Sequence, residues 1–167
     1  MVKGSKLVPT EESYFMGKLL IEAAACRDPG IQRAALIVDK KDVISFGYSS
    51  ILTEYPTSAG SWADRDYAMY SAEDMALDKA ISCRRERLDF ISVQLFVLNP
   101  PTHHSLLRCL SLGIKTIIYM VINDQFIDQA DWKKAQHLAK ERRMTLKEFD
   151  GNLNWIRDRL LKYDYLF

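Results

Sequence analysis

Long apolar runs bounded by turn residues constrain this chain more than any other feature. Ala34–Val38 reads Ala-Ala-Leu-Ile-Val without a break, Phe90–Leu98 reads Phe-Ile-Ser-Val-Gln-Leu-Phe-Val-Leu, and Ile114–Ile122 is a further apolar run. Continuous runs of this kind belong to strands covered on both faces, and their β-branched and aromatic content suits a pleated, buried surface. A sheet buried on both faces needs a helical layer on each side. Lys40-Lys41-Asp42 makes a tight polar connection after the first run, so Val43–Tyr48 pairs back as a hairpin. Met144–Phe149 supplies a last, short strand.

Helical patterns fill the intervals. Thr10 can cap a first helix whose opening turn holds Glu11 and Glu12, and Phe15, Leu19 and Ala23 with Met16, Leu20 and Ala24 form its buried stripe. Arg27-Asp28-Pro29-Gly30 ends it. A second helix is expected from about Met69 to Ser82, with Ala72, Met75, Ala76 and Ala80 on one side. Arg84, Arg85 and Arg87 follow it, either as a solvated helix end or as a phosphate site. Asn99-Pro100-Pro101 stops the strand before a helix from His103 to Leu112, and Gly113 caps that helix. Further helices are expected over 127–143 and 152–162, the latter with Leu153, Ile156, Leu160 and Leu161 as its stripe.

The order α-β-β-α-β-α-β-α-β-α implies an α/β fold, a three-layer α/β/α sandwich around a central five-stranded mixed sheet. No repeat interrupts residues 1–167, which read as a single domain. The segment from Ser49 to Tyr67, which holds Tyr55, Pro56, Gly60 and Trp62, is long for a compact domain. Such a loop is functional, part of an interface, or a solvated insertion.

Composition narrows the function classes. With 23 Lys+Arg against 22 Asp+Glu, 48% hydrophobic and 27% charged residues, nothing global points to nucleic acid or an anionic membrane surface. No apolar run approaches the roughly 18 residues of a membrane span, and Met-Val-Lys-Gly-Ser-Lys lacks the apolar core of a signal peptide. A cytoplasmic location is expected. Cys26, Cys83 and Cys109 are widely spaced without a CxxC pair, which fits reduced, buried thiols. His137 is expected at the surface.

The motifs resemble those of the deoxycytidylate (dCMP) deaminase family, within the cytidine deaminase superfamily. Tyr14-Phe15-Met16, Asp28-Pro29, Ala34–Asp39 and Gly47-Tyr48 match that family's opening pattern in order and spacing. Tyr67–Ala76 is similar to its "Y-x-x-HAE-x-N-A" active-site helix, with Ala72-Glu73 on the Ala-Glu. The strand, Pro, helix and Gly113-Ile114-Lys115 unit looks like its "PCxxC … GIK" segment. The resemblance covers roughly residues 10 to 150.

In that family one His and two Cys hold Zn²⁺, the metal activates a water, and the Glu shuttles protons during attack on cytosine C4. Carried over here, the His position is Ser71. Counting back from Gly113 puts the two Cys positions at Thr102 and Ser105, and counting forward from Pro100 puts them at Pro101 and His104. Neither registration gives a thiolate, and a catalytic zinc takes three protein ligands from Cys, His or carboxylate. The conventional zinc site is therefore absent by residue type, and no cofactor is expected. On the substrate side, the family's Asn after Gly-Tyr becomes Ser49, and the Asn after the Glu becomes Met75.

Glu73 is the retained catalytic-type residue, either a proton shuttle for other chemistry, with Ser71 or His104, or a relic held by hydrogen bonds. His103, His104 and Glu73 are the set from which a rebuilt metal site would have to come. Trp62, Tyr67 and Tyr70 could stack on a base, with Ser49, Thr102, His103 and Ser105 around it, or form an interface. The expectation is a zinc-free, catalytically inactive dCMP deaminase-like homo-oligomer, a dimer or hexamer. It would bind a nucleotide, or join an active relative, in a regulatory or scaffolding role. The alternatives are an enzyme with repurposed nucleotide chemistry, a hydrolase acting on a deoxynucleotide, and a deaminase with a rebuilt metal site.

Overall fold

A computed structural model of the chain describes residues 10–23, 33–51, 69–83, 90–122 and 127–156. Its elements are α1 (Glu11–Ala23), β1 (Ala34–Asp39), β2 (Asp42–Tyr48), β3 (Ser50–Ile51), β4 (Met69–Tyr70), α2 (Ala72–Cys83), β5 (Val93–Leu98), α3 (His103–Leu112), β6 (Thr116–Met120), α4 (Gln129–Glu141) and β7 (Thr145–Glu148).

Strands β2, β1, β5, β6 and β7 lie in that order in one sheet. β1 is antiparallel to both β2 and β5, whereas β5, β6 and β7 run parallel, so the sheet is mixed as its sequence requires. The hairpin turns through Lys40 and Lys41, with Lys40 in the left-handed region at φ 57°. A register shift sets Ile37 opposite Ser45 but Val38 opposite Val43, which leaves Ile44 as an extra residue in β2.

Alternation along β1 and β5 divides the core. Ala35 and Ile37 with Val93, Leu95 and Val97 pack against Ala76, Leu77 and Ala80 of α2, Leu106 and Cys109 of α3, and Ala135 and Leu138 of α4. Leu36 and Val38 with Phe96 and Leu98 pack on the other face against Phe15, Met16, Leu19 and Leu20 of α1 and against Ile156. This is the three-layer sandwich, with α2, α3 and α4 on one face and α1 on the other. Truncating a fully buried residue such as Leu36, Leu77 or Leu95 to Ala costs about 2–5 kcal/mol.

Local chemistry fixes the helix ends. The Thr10 hydroxyl accepts the Ser13 amide at 3.2 Å, which caps α1. Thr102 caps α3, and Gly113, at φ 92°, closes it while the Ile114 amide bonds the Cys109 carbonyl. Asp128 accepts the amides of Ala130 and Asp131 and so starts α4 two residues later than the apolar pattern alone suggests. The largest departure from expectation is at α2. Met69 and Tyr70 pair antiparallel with Ile51 and Ser50, so the chain reaches Ser71 in extended form and the helix begins only at Ala72. The last two apolar runs are trimmed to β5 and β6 because Phe90 and Ile91 lie in a turn and Ile114 and Lys115 lie outside the ladder.

The expected last helix begins at residues 154–156, and the rest of it lies outside the described residues. So do Ala24, Cys26, the Arg27–Gly30 turn, Arg84, Arg85 and Arg87, and most of the Ser49–Tyr67 segment, including Tyr55, Pro56, Gly60, Trp62 and Tyr67. Among the described residues no helix is long and apolar enough to cross a membrane.

Candidate functional site

Two helix N-termini define the site. α2 begins at Ser71-Ala72-Glu73, and α3 begins at Thr102-His103-His104 where Asn99-Pro100-Pro101 turn the chain off the C-terminal end of β5. That end of a parallel strand is where α/β sheets place their ligand crevices. Asn99 takes a left-handed conformation, φ 69°, while its amide bonds the Met120 carbonyl and its side-chain oxygen accepts the Ile122 amide. The turn into α3 is thereby tied to the end of β6.

α2 is seated against the edge strand with almost no clearance. A β-carbon on Gly47 would lie 2.2 Å from the Ala72 carbonyl oxygen and 2.5 Å from the Ala76 amide nitrogen. Only glycine lets β2 and α2 approach this closely. The Ser45 hydroxyl adds a direct tie, donating to the Ala76 carbonyl at 2.6 Å.

Glu73 falls on the same helical stripe as Ala76, Leu77 and Ala80, at positions i, i+3, i+4 and i+7, and so faces inward. It is only 6% exposed. Burial drives its carboxyl pKa above the ordinary value of 4.5, and the adjacent Asp74 adds to the rise. A bond from its own backbone amide and the positive charge of Arg33 oppose the shift but are outweighed. Glu73 is therefore held toward its neutral form, in which it both donates and accepts a hydrogen bond.

Around it, Ser71 caps α2 by accepting the Asp74 amide at 3.0 Å. Ser49 is buried, and its amide donates to the Arg33 carbonyl at 3.0 Å, which links the ends of β1 and β2. Met75 occupies a half-buried position one residue before Ala76. On α3, the hydroxyls of Thr102 and Ser105 lie 2.9 Å apart, and Thr102 also accepts the Ser105 amide at 3.1 Å. These two side chains share one face of the helix. Of the other registration, Pro101 is buried and His104 is exposed. The His103 backbone amide donates to Asp131 at 2.9 Å, joining α3 to α4. Tyr70 enters through its backbone, paired with Ser50. His137 is at the surface, 75% exposed, with Glu141 3.2 Å away.

The donor set does not fit a catalytic zinc. In the registration counted back from Gly113 the three positions hold hydroxyls, neutral at ordinary pH and each taken up in hydrogen bonds within the protein, and in the other Pro101 offers no side-chain donor atom and His104 is exposed. Cys109, one turn beyond Ser105, is fully buried, and burial above all, with the neighbouring acids Glu73 and Asp74 adding to it, pushes its thiol up to about 12. Among the described residues no three His, Cys, Asp or Glu side chains gather so as to hold a metal ion, and that includes His103, His104 and Glu73.

Arg33 and Arg108 escaped the sequence reading. Arg33 lies outside every motif, and its signal is only its place one residue before β1. Arg108 contacts Asp74, Nη1 to Oδ1 at 2.6 Å, and Asp78 through Nη2. Its signal was the Asp74, Asp78 pair at i, i+4, two like charges that need a cation between them.

Comparison with solved structures identifies the architecture. The dCMP deaminase of cyanophage S-TIM5, crystallised with dCMP and dUMP, superposes with a TM-score of 0.64 at 16% identity, covering 86% of this chain and 99% of that one. RibD of Acinetobacter baumannii superposes with a TM-score of 0.55 at 14% identity, covering 83% of this chain and 35% of RibD. The Thermotoga maritima diaminohydroxyphosphoribosylaminopyrimidine deaminase/5-amino-6-(5-phosphoribosylamino)uracil reductase gives 0.53 at 16% identity, covering 90% of this chain and 39% of its own. The fold is that of the cytidine deaminase superfamily. Within it, the phage dCMP deaminase is matched over nearly its whole length. No protein-family model matches the sequence, and no curated protein matches it significantly.

Proposed function

We propose that this chain is a deaminase-fold protein that binds a nucleotide without zinc-dependent deamination and serves a regulatory or scaffolding role as a cytoplasmic homo-oligomer, a dimer or hexamer. One observation carries the reading: of the residues at the positions where the resemblance, counted back from Gly113, places zinc ligands, Ser71 and Thr102 cap α2 and α3, and Ser105 is bonded to Thr102. On this reading Glu73 remains the polar centre of the site, among hydroxyls that are poor metal ligands. A carboxyl held toward its neutral form can pair with the amide edge of a base, donating to one ring atom and accepting from another. Ser49, Thr102, His103 and Ser105 would line the base and sugar, and Trp62, Tyr67 and Tyr70 would supply stacking. An active deaminase relative is a further partner for such a protein.

A panel of deoxynucleotides tests the reading. A pyrimidine deoxynucleotide is expected to raise the melting temperature, with no release of ammonia from dCMP or dCTP. Deamination at a rate that scales with enzyme concentration overturns it.

A second reading rests on the raised pKa of Glu73, since general acids are tuned in this way. In that case Glu73, with Ser71 or His104, handles a proton in a hydrolysis of a deoxynucleotide that does not remove the base amine. Turnover that disappears in Glu73→Gln, while nucleotide binding persists, favours this second reading over the first.

A further inference from the structure

The ion cluster where α2 faces α3 has no counterpart in the motifs discussed above. Asp74 and Asp78 stand one turn apart on α2, an arrangement of like charges that destabilises an isolated helix. Arg108 answers both from α3, with Nη1 2.6 Å from Asp74 Oδ1 and Nη2 against Asp78 Oδ1. A guanidinium presents several donors in one rigid plane, so it serves two carboxylates at once, which an ammonium on a flexible stem does less well. The Arg108–Asp74 pair is partly shielded, at 28% and 16% exposed, whereas Asp78 at 44% is open to solvent screening.

We propose that Arg108 is a positioning residue for Glu73: reaching from α3 to Asp74 and Asp78, it pins the opening turns of α2 and screens the carboxylate that adjoins Glu73.

Among the described residues, three titratable groups act on or with Glu73. Arg33 approaches from the start of β1, Asp74 from its own helix, and the Cys109 thiol from α3. Asp74 acts on both buried groups, making Glu73 and Cys109 harder to ionise, and Arg108 opposes it at Cys109. Removing Arg108 leaves Asp74 as a bare charge beside Glu73. Removing the charge of Asp74 relieves Glu73. The two changes therefore move Glu73 in opposite directions, although both break the same ion pair and both weaken the contact between the helices.

This inference rests on Glu73 being the polar centre of the proposed binding site, but its test needs no ligand and no turnover. It can fail while nucleotide binding stands, and the reverse. The full chain would be prepared as wild type, Arg108→Gln, Arg108→Lys and Asp74→Asn, with ¹³C-labelled glutamate. The Glu73 carboxyl would be followed by NMR across pH and assigned by its loss in Glu73→Gln. Asp74→Asn is expected to lower the Glu73 midpoint by about one pH unit, the scale on which a neighbouring charge acts. Arg108→Gln is expected to raise it by a similar amount, and Arg108→Lys to bring it back toward wild type. Midpoints that stay at the wild-type value while melting temperatures fall would reduce Arg108 to a staple and overturn the proposal. Should Arg108→Gln fail to fold, Asp74→Asn, which leaves Asp78 to hold Arg108, decides alone: an unmoved midpoint overturns the proposal.

Discussion

Thr102 Oγ1 and Ser105 Oγ lie 2.9 Å apart across the first turn of α3, and the same Thr102 oxygen accepts the Ser105 amide. The pair closes the head of the helix with hydrogen bonds made entirely within the chain. Thr102→Ala removes the cap and the partner of Ser105 together, and should cost about 0.5–2 kcal/mol in urea unfolding. Thr102→Ser keeps the accepting oxygen and should cost much less. Equal losses for the two variants would mean that the methyl group, not the cap, is what counts.

The seat of α2 on β2 predicts an unusually severe small substitution. Gly47→Ala places its β-carbon against backbone atoms of Ala72 and Ala76, which cannot rotate away. The helix must shift, at a cost of about 1–3 kcal/mol or more. The shift reaches Glu73, so any nucleotide-induced rise in melting temperature should shrink in the same variant.

Glu73 predicts a dependence of stability on pH with a definite sign. Its folded pKa lies above the unfolded value of 4.5, so its contribution is fully present below that value and is lost as pH rises through the folded pKa. In that window the unfolded chain has released the proton and the folded chain still holds it. Wild type should therefore lose about 1.4 kcal/mol per pH unit relative to Glu73→Gln, and the difference should level off above the folded pKa. Calorimetry of both proteins from pH 4 to 9 measures it. Parallel curves would show that Glu73 titrates normally.

Cys109 should be chemically silent in the folded state. It is fully buried, and its thiol is pushed up to about 12, so almost no thiolate exists at pH 8. In a Cys26→Ser, Cys83→Ser background, a disulfide reagent should label Cys109 only on unfolding. Rapid labelling of the native protein would place that thiol at the pocket wall.

Much of this architecture was legible in the sequence because it follows from local rules. The buried strands announced themselves as unbroken apolar runs, Thr10 and Gly113 as helix ends, and the order of elements implied the mixed sheet and its two helical layers. The start of α2 was misplaced, since Met69 and Tyr70 suit a helix as well as a strand and their pairing with Ile51 and Ser50 is a contact across a long segment. At the site, Glu73 stood out through its motif. Arg33 did not, because what sets it beside Glu73 is the packing of β1 on α2. For Arg108 the paired acids and its own helix were visible, but that this helix would lie against α2 was not.

Zinc per chain in protein purified without chelators tests the central claim most directly, because Ser71, Thr102 and Ser105 either are or are not ligands. The account predicts zinc far below one atom per chain, unchanged after incubation with zinc and gel filtration, and a melting temperature indifferent to added zinc. About one tightly held zinc per chain, lost together with fold stability on chelation, would contradict it.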